Sequence, residues 1–362
     1  MENTRKHFPV LSQYLYANTA STGLLSEQLM TWRQEHDLDY LIGGSLMKIK
    51  SVQELLPQVR ATVAKFFKSA EDNTALVQNF TLGLNMLLEG LEENQNILLV
   101  ENDYPSVNWP FECRTHHISY ASLDENLEQN IYEKLKTDKI SILALSLVQW
   151  ATGIKIDFNF LRDIKKEYPE LIIIADGTQF CGTVDFNFEE SPIDILGSSA
   201  YKWLLSGYGN GFMLFKDEVK DRFNLNTVGF NASSHNLEGR DNIPFNKHFE
   251  PGHLDTLNFG SLKFSLEYLE SLGMAKIEDH LQQLSKKAKK AFTDLHLLDN
   301  TIVARKDHST IFNIKGDDAL YQKLTEQGVL CSQRGAGIRF SFHFYNTEAE
   351  IDKLVKILSS AT

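Results

Sequence analysis

The sequence has no apolar run of membrane-spanning length, and its polar first residues, 1–9, contain no signal-peptide core. It also has no internal repeat and no low-complexity tract, and its eight prolines in 362 residues mark no linker. These absences argue against a helical membrane protein, a secreted precursor and a repeat protein. We expect a globular protein of the cytoplasm that has no membrane partner.

Cysteine is scarce, and negative charge outnumbers positive charge. Cys113, Cys181 and Cys331 show neither a disulfide framework nor metal-ligand spacing, which predicts a reducing compartment and no metal site. The formal net charge of −12 argues against nucleic acid or an anionic membrane as a partner. No G-x-G-x-x-G motif follows the first predicted strand, which argues against a dinucleotide-binding protein.

Apolar runs alternate with amphipathic periods through the middle of the chain. Amphipathic helices are predicted at 123–135 and Phe158–Glu167. Strands are predicted at 97–101, 141–146, 171–175, 193–196 and Gly211–Phe215. This alternation is typical of an α/β fold with a mostly parallel central sheet flanked by helices. The last strand follows a short glycine turn, so we expect it to be antiparallel to its neighbour.

The pattern changes after about residue 260 and indicates a smaller α+β C-terminal domain. A chain of 362 residues also suits a large core with a second, smaller one. We therefore divide the chain into an N-terminal segment (1–20) that packs on the small domain, a large domain (21–259) and a small domain (260–362). The small domain is predicted to contain helices at 262–272, 277–295, 317–327 and Glu348–Ser359 and strands at 310–314 and 338–342.

One stretch of the chain joins a carboxylate, a lysine and a glycine-broken turn. An apolar run ends in Asp176, and Lys202 follows downstream, after Ser199. A pyridoxal phosphate site needs these groups, because the lysine forms a Schiff base and the aspartate keeps the pyridine nitrogen protonated. Each residue alone has a commoner explanation: polar residues often end parallel strands, and a lysine beside Trp203 often covers apolar surface with its stem. Their order, with Gln179 between them, favours the cofactor site.

With these motifs the chain resembles the class V aminotransferases, which share a fold with cysteine desulfurases and isopenicillin N epimerase-like proteins. The D-x-x-Q pattern at Asp176 and the S-x-x-K pattern at Lys202 carry the resemblance, which covers nearly the whole chain. It implies pyridoxal phosphate as the cofactor, a large cofactor-binding domain and a homodimer with active sites at the subunit interface. Other similar segments are YLYANTASTG at 14–23, the phosphate cup NFTLGLN at 79–85, FEPG at 249–252 and IRFSFHFYNT at 338–347.

The resemblance also implies roles for single residues. Lys202 and Asp176 are the expected catalytic pair. Arg339 is expected to bind the substrate carboxylate, Arg334 is a second candidate for an anionic substrate group, and Asn18 is a further substrate contact. The expected cofactor contacts, besides the catalytic pair, are Phe80, Thr81, Tyr104, Thr178, Gln179, Ser199, Tyr201 and His253.

Three positions depart from the family pattern, and one assignment has an alternative. Asn79 replaces a glycine of the phosphate cup, and Tyr201 stands where many relatives have histidine. His253 occupies the place of a threonine that reaches the phosphate of the neighbouring subunit in relatives. Either Tyr104 or Trp109 stacks on the cofactor ring, and we prefer Tyr104.

The reaction type stays open at this level. We expect an aminotransferase with amino acid and keto acid substrates. A lyase or epimerase (cysteine or selenocysteine lyase-like) and a phosphoserine-type transaminase are alternatives, and a catalytically silent cofactor-binding protein is the non-enzyme alternative. Cys331 is expected to be a packed thiol, because the segment 328–339 is too short for the nucleophile loop of cysteine desulfurases.

Overall fold

Short strands and longer helices alternate along the chain in the computed structural model, which describes residues 2–234 and 236–360. The strands are β1 (Leu15–Tyr16), β2 (Thr74–Val77), β3 (Asn96–Val100), β4 (His117–Ala121), β5 (Ile142–Ser146), β6 (Ile172–Asp176), β7 (Ile195–Ser199), β8 (Gly211–Phe215), β9 (Ile311–Lys315), β10 (Val329–Leu330), β11 (Ser332–Arg334) and β12 (Gly337–Ser341). The helices are α1 (Glu27–Gly43), α2 (Ser45–Lys50), α3 (Leu56–Phe67), α4 (Phe80–Glu89), α5 (Pro105–Glu112), α6 (Leu127–Thr137), α7 (Phe158–Glu167), α8 (Thr256–Leu272), α9 (Met274–Asp294), α10 (Asn300–Ala304), α11 (Asp318–Glu326) and α12 (Glu348–Ser359).

A seven-stranded sheet with the order β2-β8-β7-β6-β5-β3-β4 forms the centre of the molecule. Strands β7, β6, β5, β3 and β4 run parallel, whereas β8 is antiparallel to both β2 and β7. Alternate residues of β6 belong to two apolar cores, with Ile173 and Ala175 in one and Ile172 and Ile174 in the other. The sheet is therefore covered on both faces, and the predicted α/β class and the antiparallel β8 are confirmed.

The parallel strands end together at one edge of this sheet. Ser146, the last residue of β5, lies opposite Asp176, the last residue of β6. Strand β7 ends at Ser199, and helix α4 begins nearby, where the backbone N–H of Phe80 donates to the Ser199 hydroxyl. Residues from distant parts of the sequence thus meet at the carboxyl edge, where ligands of α/β proteins bind.

The C-terminal residues form a three-stranded antiparallel sheet with the order β11-β12-β9. One face packs against α9, where the ring of Phe292 contacts the rings of Phe312 and Phe340. The N-terminal segment joins the C-terminal strands, because β1 pairs in parallel with β10 and Asn18 forms a bridge with Ser341. Residues 15–18 therefore pack with the C-terminal strands, although they come from the other end of the sequence.

Helices α7 and α12 have the predicted bounds, whereas α8 and α6 begin at other residues than predicted. Helix α8 begins at Thr256, because the Asp255 side chain accepts a hydrogen bond from the Asn258 backbone. The helix runs through residue 260, so the boundary predicted between 259 and 260 falls inside it. Helix α6 begins at Leu127 rather than at 123. In the described part of the chain, no helix has both the length and the apolarity that a membrane span requires.

Candidate active site

A cavity of about 550 Å³ lies at the carboxyl ends of β5, β6 and β7. It brings together all the predicted cofactor residues except His253. Its wall is formed by Gln78, Asn79, Phe80, Thr81, Leu82, Tyr104, Ser146, Val148, Trp150, Asp176, Thr178, Gln179, Ser199, Tyr201, Lys202, Tyr208 and Gly209. The volume is typical of a site for a cofactor and a small substrate.

Lys202 brings a buried amine into this cavity. Its side chain is 6% exposed, and its Nζ lies 5.6 Å from the ring centre of Tyr104 and 5.5 Å from that of Tyr201. Burial lowers the pKa of Lys202 to about 8, and nearby arginine charges add to this shift, whereas the charge of Asp176 opposes it. A lysine with this pKa has about a tenth of its amine in the neutral, nucleophilic form at pH 7, far more than an exposed lysine has.

Asp176 provides a buried carboxylate at the end of β6. Its Oδ1 accepts a hydrogen bond of 2.8 Å from the Thr178 backbone. Burial raises the pKa of Asp176 to about 6, and the charge of Asp103 adds to the rise, while the Thr178 hydrogen bonds and the Lys202 charge oppose it. The shift favours an aspartate that shares a proton with a basic ligand atom.

The N-terminal segment packs directly on the lysine loop. The Gly23 N–H donates a 2.8 Å hydrogen bond to the carbonyl oxygen just before Lys202. A Cβ atom at Gly23 would lie 1.9 Å from the Lys202 carbonyl oxygen, so only glycine fits. The Gln179 amide donates to the Ala20 carbonyl (3.0 Å) and accepts from the Trp203 indole (2.7 Å). The backbone of Lys202 is therefore held at both neighbouring residues, Tyr201 and Trp203.

The N-terminus of helix α4 forms one end of the cavity. The Asn79 side chain accepts a hydrogen bond from the Leu82 backbone and caps the helix. The Phe80 side chain is buried in the apolar core, so this residue faces the site through its backbone. Thr81 and Ser199 add hydroxyl groups. The helix end favours an anion, and Lys202 is the only lysine or arginine in the wall as described.

Aromatic side chains cover much of the remaining wall. Tyr104 and Trp150 meet edge to face at 5.7 Å, and Tyr201 stacks on Tyr208 at 4.4 Å. Trp109 is 65% exposed and lies outside the wall, which favours Tyr104 as the ring that meets the cofactor. The sequence analysis missed Trp150 and Tyr208. The only local signal for Tyr208 in the sequence is its position between Gly207 and Gly209, which both adopt a positive φ in the structure.

The predicted substrate contacts lie beside the cavity wall rather than in it. Arg339 is 2% exposed, and its guanidinium donates a 2.6 Å hydrogen bond to the carbonyl of the wall residue Trp150. Arg334 is half-buried on β11, near the edge of the small sheet. Asn18 accepts a hydrogen bond of 2.6 Å from the Ser332 hydroxyl, on the strand that pairs with Arg339.

Two other residues from the sequence analysis lie away from the cavity wall. His253 is exposed in the segment before α8. Cys331 is 7% exposed between β10 and β11, and burial raises its pKa to about 12. No group of three or more His, Cys, Asp or Glu side chains in residues 2–234 and 236–360 is arranged to hold a metal ion.

Comparisons with known proteins agree on one family. The family model "Aminotransferase class-V" matches residues 43–354. An uncharacterized aminotransferase of Schizosaccharomyces pombe is 24% identical over 341 residues, covering 84% of this chain and 82% of that protein. A probable cysteine desulfurase of Ureaplasma parvum is 24% identical over 337 residues, with the same coverage. In fold, the chain is similar to C-DES, solved with glycine covalently linked to its PLP cofactor, with a TM-score of 0.88, 19% identity and 98% coverage of both chains.

Proposed function

The chain belongs to the class-V aminotransferase family, and on that basis we propose that it acts at the α-carbon of an amino acid, with pyridoxal phosphate bound in the cavity at Lys202. The proposal depends above all on the buried amine and the buried carboxylate that share this cavity. Burial lowers the pKa of Lys202 to about 8 and raises that of Asp176 to about 6. Such a pair in a concave site is typical of an active centre.

Pyridoxal phosphate is the cofactor of this family, and the chemical groups of the cavity fit it. Lys202 supplies the amine for the cofactor aldehyde, and Asp176 supplies the carboxylate for the ring nitrogen. The α4 N-terminus, with Thr81 and Ser199, supplies N–H and hydroxyl groups for the phosphate, and Tyr104 supplies a ring for the cofactor face. When bound, the cofactor supplies an electron sink for bonds at the substrate α-carbon.

The side chains of the cavity then have separate tasks. The Lys202 amine removes and returns a proton at the substrate α-carbon. Asp176, which with a pKa of about 6 is mostly ionised at neutral pH, would hold a proton at the ring nitrogen. The Gln179 amide has a second N–H besides the one that donates to the Ala20 carbonyl, and this group would donate to the ring oxygen of the cofactor. Tyr104 and Tyr201 exclude water from the reacting atoms.

Transamination is the reaction that we infer, with an amino acid and a keto acid as substrates. The family and the Schizosaccharomyces pombe relative, which carries the name of an aminotransferase, support this reaction. All such substrates have a carboxylate, and the guanidinium of Arg339 suits it because two parallel N–H groups match its two oxygens. Arg334 and Asn18 are the nearby polar groups for the rest of the substrate.

Absorbance of the purified protein tests this function. We expect a visible band that borohydride reduction removes. An amino acid added without a keto acid should convert the band to that of pyridoxamine phosphate and release one keto acid per site. Lys202→Ala should keep the far-UV circular dichroism of the parent and lose turnover to below a few per cent. A variant that retains more turnover, or a parent without the band, would refute the assignment.

A carbon–sulfur lyase is the second candidate. The Ureaplasma parvum relative carries the name of a cysteine desulfurase, and C-DES is described as a cystine C–S lyase. A lyase would release sulfur from cysteine or cystine without forming pyridoxamine phosphate. The same absorbance experiment, with sulfide measured in parallel, therefore distinguishes the two reactions.

A further inference from the structure

A buried aspartate outside the predicted catalytic set stands between β3 and the cavity. Asp103 lies just beyond the end of β3, and its side chain is 6% exposed. The preceding residue, Asn102, has a left-handed backbone with φ of 57°, a conformation that asparagine tolerates better than most residues. The turn directs the Asp103 carboxylate back toward the neighbouring strand β5.

The two oxygens of Asp103 bind two backbone groups of the cavity wall. Oδ1 accepts a hydrogen bond of 2.6 Å from the Tyr104 N–H, and Oδ2 accepts one of 2.7 Å from the Ser146 N–H. Ser146 is the register partner of Asp176 on the adjacent strand. The Asp103 carboxylate therefore links the backbone of Tyr104 to the end of β5, next to Asp176.

The cost of this arrangement suggests a role beyond folding. Burial raises the pKa of Asp103, and no lysine or arginine of the described residues forms a salt bridge with it. Its charge also acts against the nearby Asp176, whose pKa it raises. A buried charge that is held only by neutral donors, the two backbone N–H groups and the Ser146 hydroxyl, is expensive, and an uncharged residue would not hold both backbone groups as firmly.

We propose that Asp103 is a positioning residue, which fixes the Tyr104 ring over the cofactor face and in register with Asp176. The inference rests on the proposed function, because it assumes that the cofactor lies between Tyr104 and Asp176. Asp103 itself is not among the residues that line the cavity. Its effect passes through its hydrogen bonds to Tyr104 and Ser146.

Asp103→Asn in the cofactor-bound protein is the first test. The amide has one oxygen, so an NH₂ group faces one of the two backbone N–H groups and that hydrogen bond is lost. We expect the cofactor dissociation constant to rise roughly tenfold, as for the loss of one charge-assisted hydrogen bond. The visible circular dichroism of the bound cofactor should fall by about half, and kcat should fall more than KM changes.

Asp194→Asn is the matched control. Asp194 is 4% exposed and accepts a hydrogen bond of 2.7 Å from the Ile173 backbone at the opposite end of the same sheet. It also pairs with Lys165, so its substitution should lower the melting temperature. The control should leave the cofactor dissociation constant and the visible circular dichroism unchanged, which separates positioning from general stability.

A double-mutant cycle with Tyr104→Ala decides whether Asp103 acts through the ring. If it does, Asp103→Asn should change the cofactor dissociation constant by less than about threefold in the Tyr104→Ala background. Full additivity would overturn the proposal, and so would a folded Asp103→Asn protein with the affinity and dichroism of the parent. If Asp103→Asn does not fold, Asp103→Glu shifts the carboxylate by one methylene, and unchanged affinity and dichroism in that variant would overturn the proposal instead. Absence of the visible band in the parent would contradict the proposed function, not this role.

Discussion

At the scale of single residues, burial moves the two ionisable groups of the cavity in opposite directions. It lowers the pKa of Lys202 and raises that of Asp176, so each group moves toward its neutral form. The two charges attract each other and limit both shifts. A lysine that is partly neutral and a carboxylate that readily shares a proton suit the proposed reaction, and neither is expected of an exposed side chain.

The pH dependence of cofactor capture tests the lowered pKa of Lys202. The neutral amine attacks the cofactor aldehyde, so the capture rate of the cofactor-free protein should rise with pH with a midpoint at about pH 8, not near the usual lysine value of 10.5, and should level off at higher pH. Stopped-flow absorbance measures this rate. In Asp176→Asn the midpoint should lie lower still, because the Asp176 charge raises the pKa of Lys202. A parent rate that still climbs above pH 9.5 would contradict the shift.

Cys331→Ser tests the lyase alternative, because it replaces only the sulfur atom of the side chain by oxygen. The thiol is buried, and its raised pKa keeps it protonated at neutral pH, so it is a poor nucleophile. Turnover of any accepted amino acid should stay within about twofold of the parent. Cys113→Ser, at an exposed cysteine, serves as the control. Sulfur release from cysteine that disappears only in Cys331→Ser would identify a desulfurase.

Part of the site could be predicted from the sequence, because some of its residues occur in a characteristic order along the chain. Asp176 and Lys202 stand in a recognisable pattern, and the structure brings both to one cavity. Trp150 and Asp103 could not be found this way, because their contacts depend on how the loops after β3 and β5 meet in space. Sequence motifs describe residues that are close along the chain, whereas these two residues contact residues that are distant in the sequence.

At the scale of elements, the sequence predicted the buried strands better than the edge strands. Strands β5, β6 and β8 are apolar runs that are almost entirely buried, and their signal is strong. Strand β4 lies at the edge of the sheet with four of its five residues at least partly exposed, so it has no continuous apolar run. Strand β2 has only four residues. Both were missed for these reasons.

Gly23→Ala tests the contact between the N-terminal segment and the lysine loop. The added methyl group would collide with the Lys202 carbonyl and with Leu205, so the loop must move. We expect a loss of roughly 1–3 kcal/mol in the free energy of unfolding and weaker cofactor binding. Thermal unfolding and the visible band measure the two effects. Gly43→Ala is the control, because the added Cβ would come no nearer than 3.3 Å to the Met47 side chain, and it should change neither quantity by much. Equal behaviour of the two variants would contradict a tight contact.

At the scale of the whole molecule, the site exists only because separate segments converge. The carboxyl edge of the central sheet supplies Asp176 and Lys202, the N-terminal segment supports the lysine loop, and the small sheet brings Arg339 next to the wall. The parallel topology explains why site residues from several strands meet at one edge, because parallel strands all end on the same side of the sheet. The N-terminal segment contacts the C-terminal strands through the β1–β10 pairing and the Asn18–Ser341 bridge, which local sequence patterns do not reveal.

The last proposal for the whole molecule is that a second copy of the chain completes the site. The cavity end beside α4 has no arginine or lysine in its described wall except Lys202, although a bound phosphate carries nearly two negative charges. Helices α1 and α2 expose a row of apolar side chains, which a two-fold partner would cover. These exposed side chains are Met30, Leu38, Leu41, Ile42, Leu46 and Ile49. We therefore propose a homodimer whose partner contributes to the phosphate site, with His253 as one candidate.

Sedimentation of the cofactor-bound protein tests the dimer, and we expect twice the mass of the chain. Leu41 and Leu46 are 82% and 74% exposed, so changing both to Glu should leave the fold intact and place charges in the interface. This variant should sediment as a monomer, and its cofactor affinity should fall roughly tenfold if phosphate contacts are lost. Val303→Glu, at an exposed residue on α10, is the matched control and should remain dimeric. A parent that is monomeric and fully active at nanomolar concentration would show that one chain completes the site.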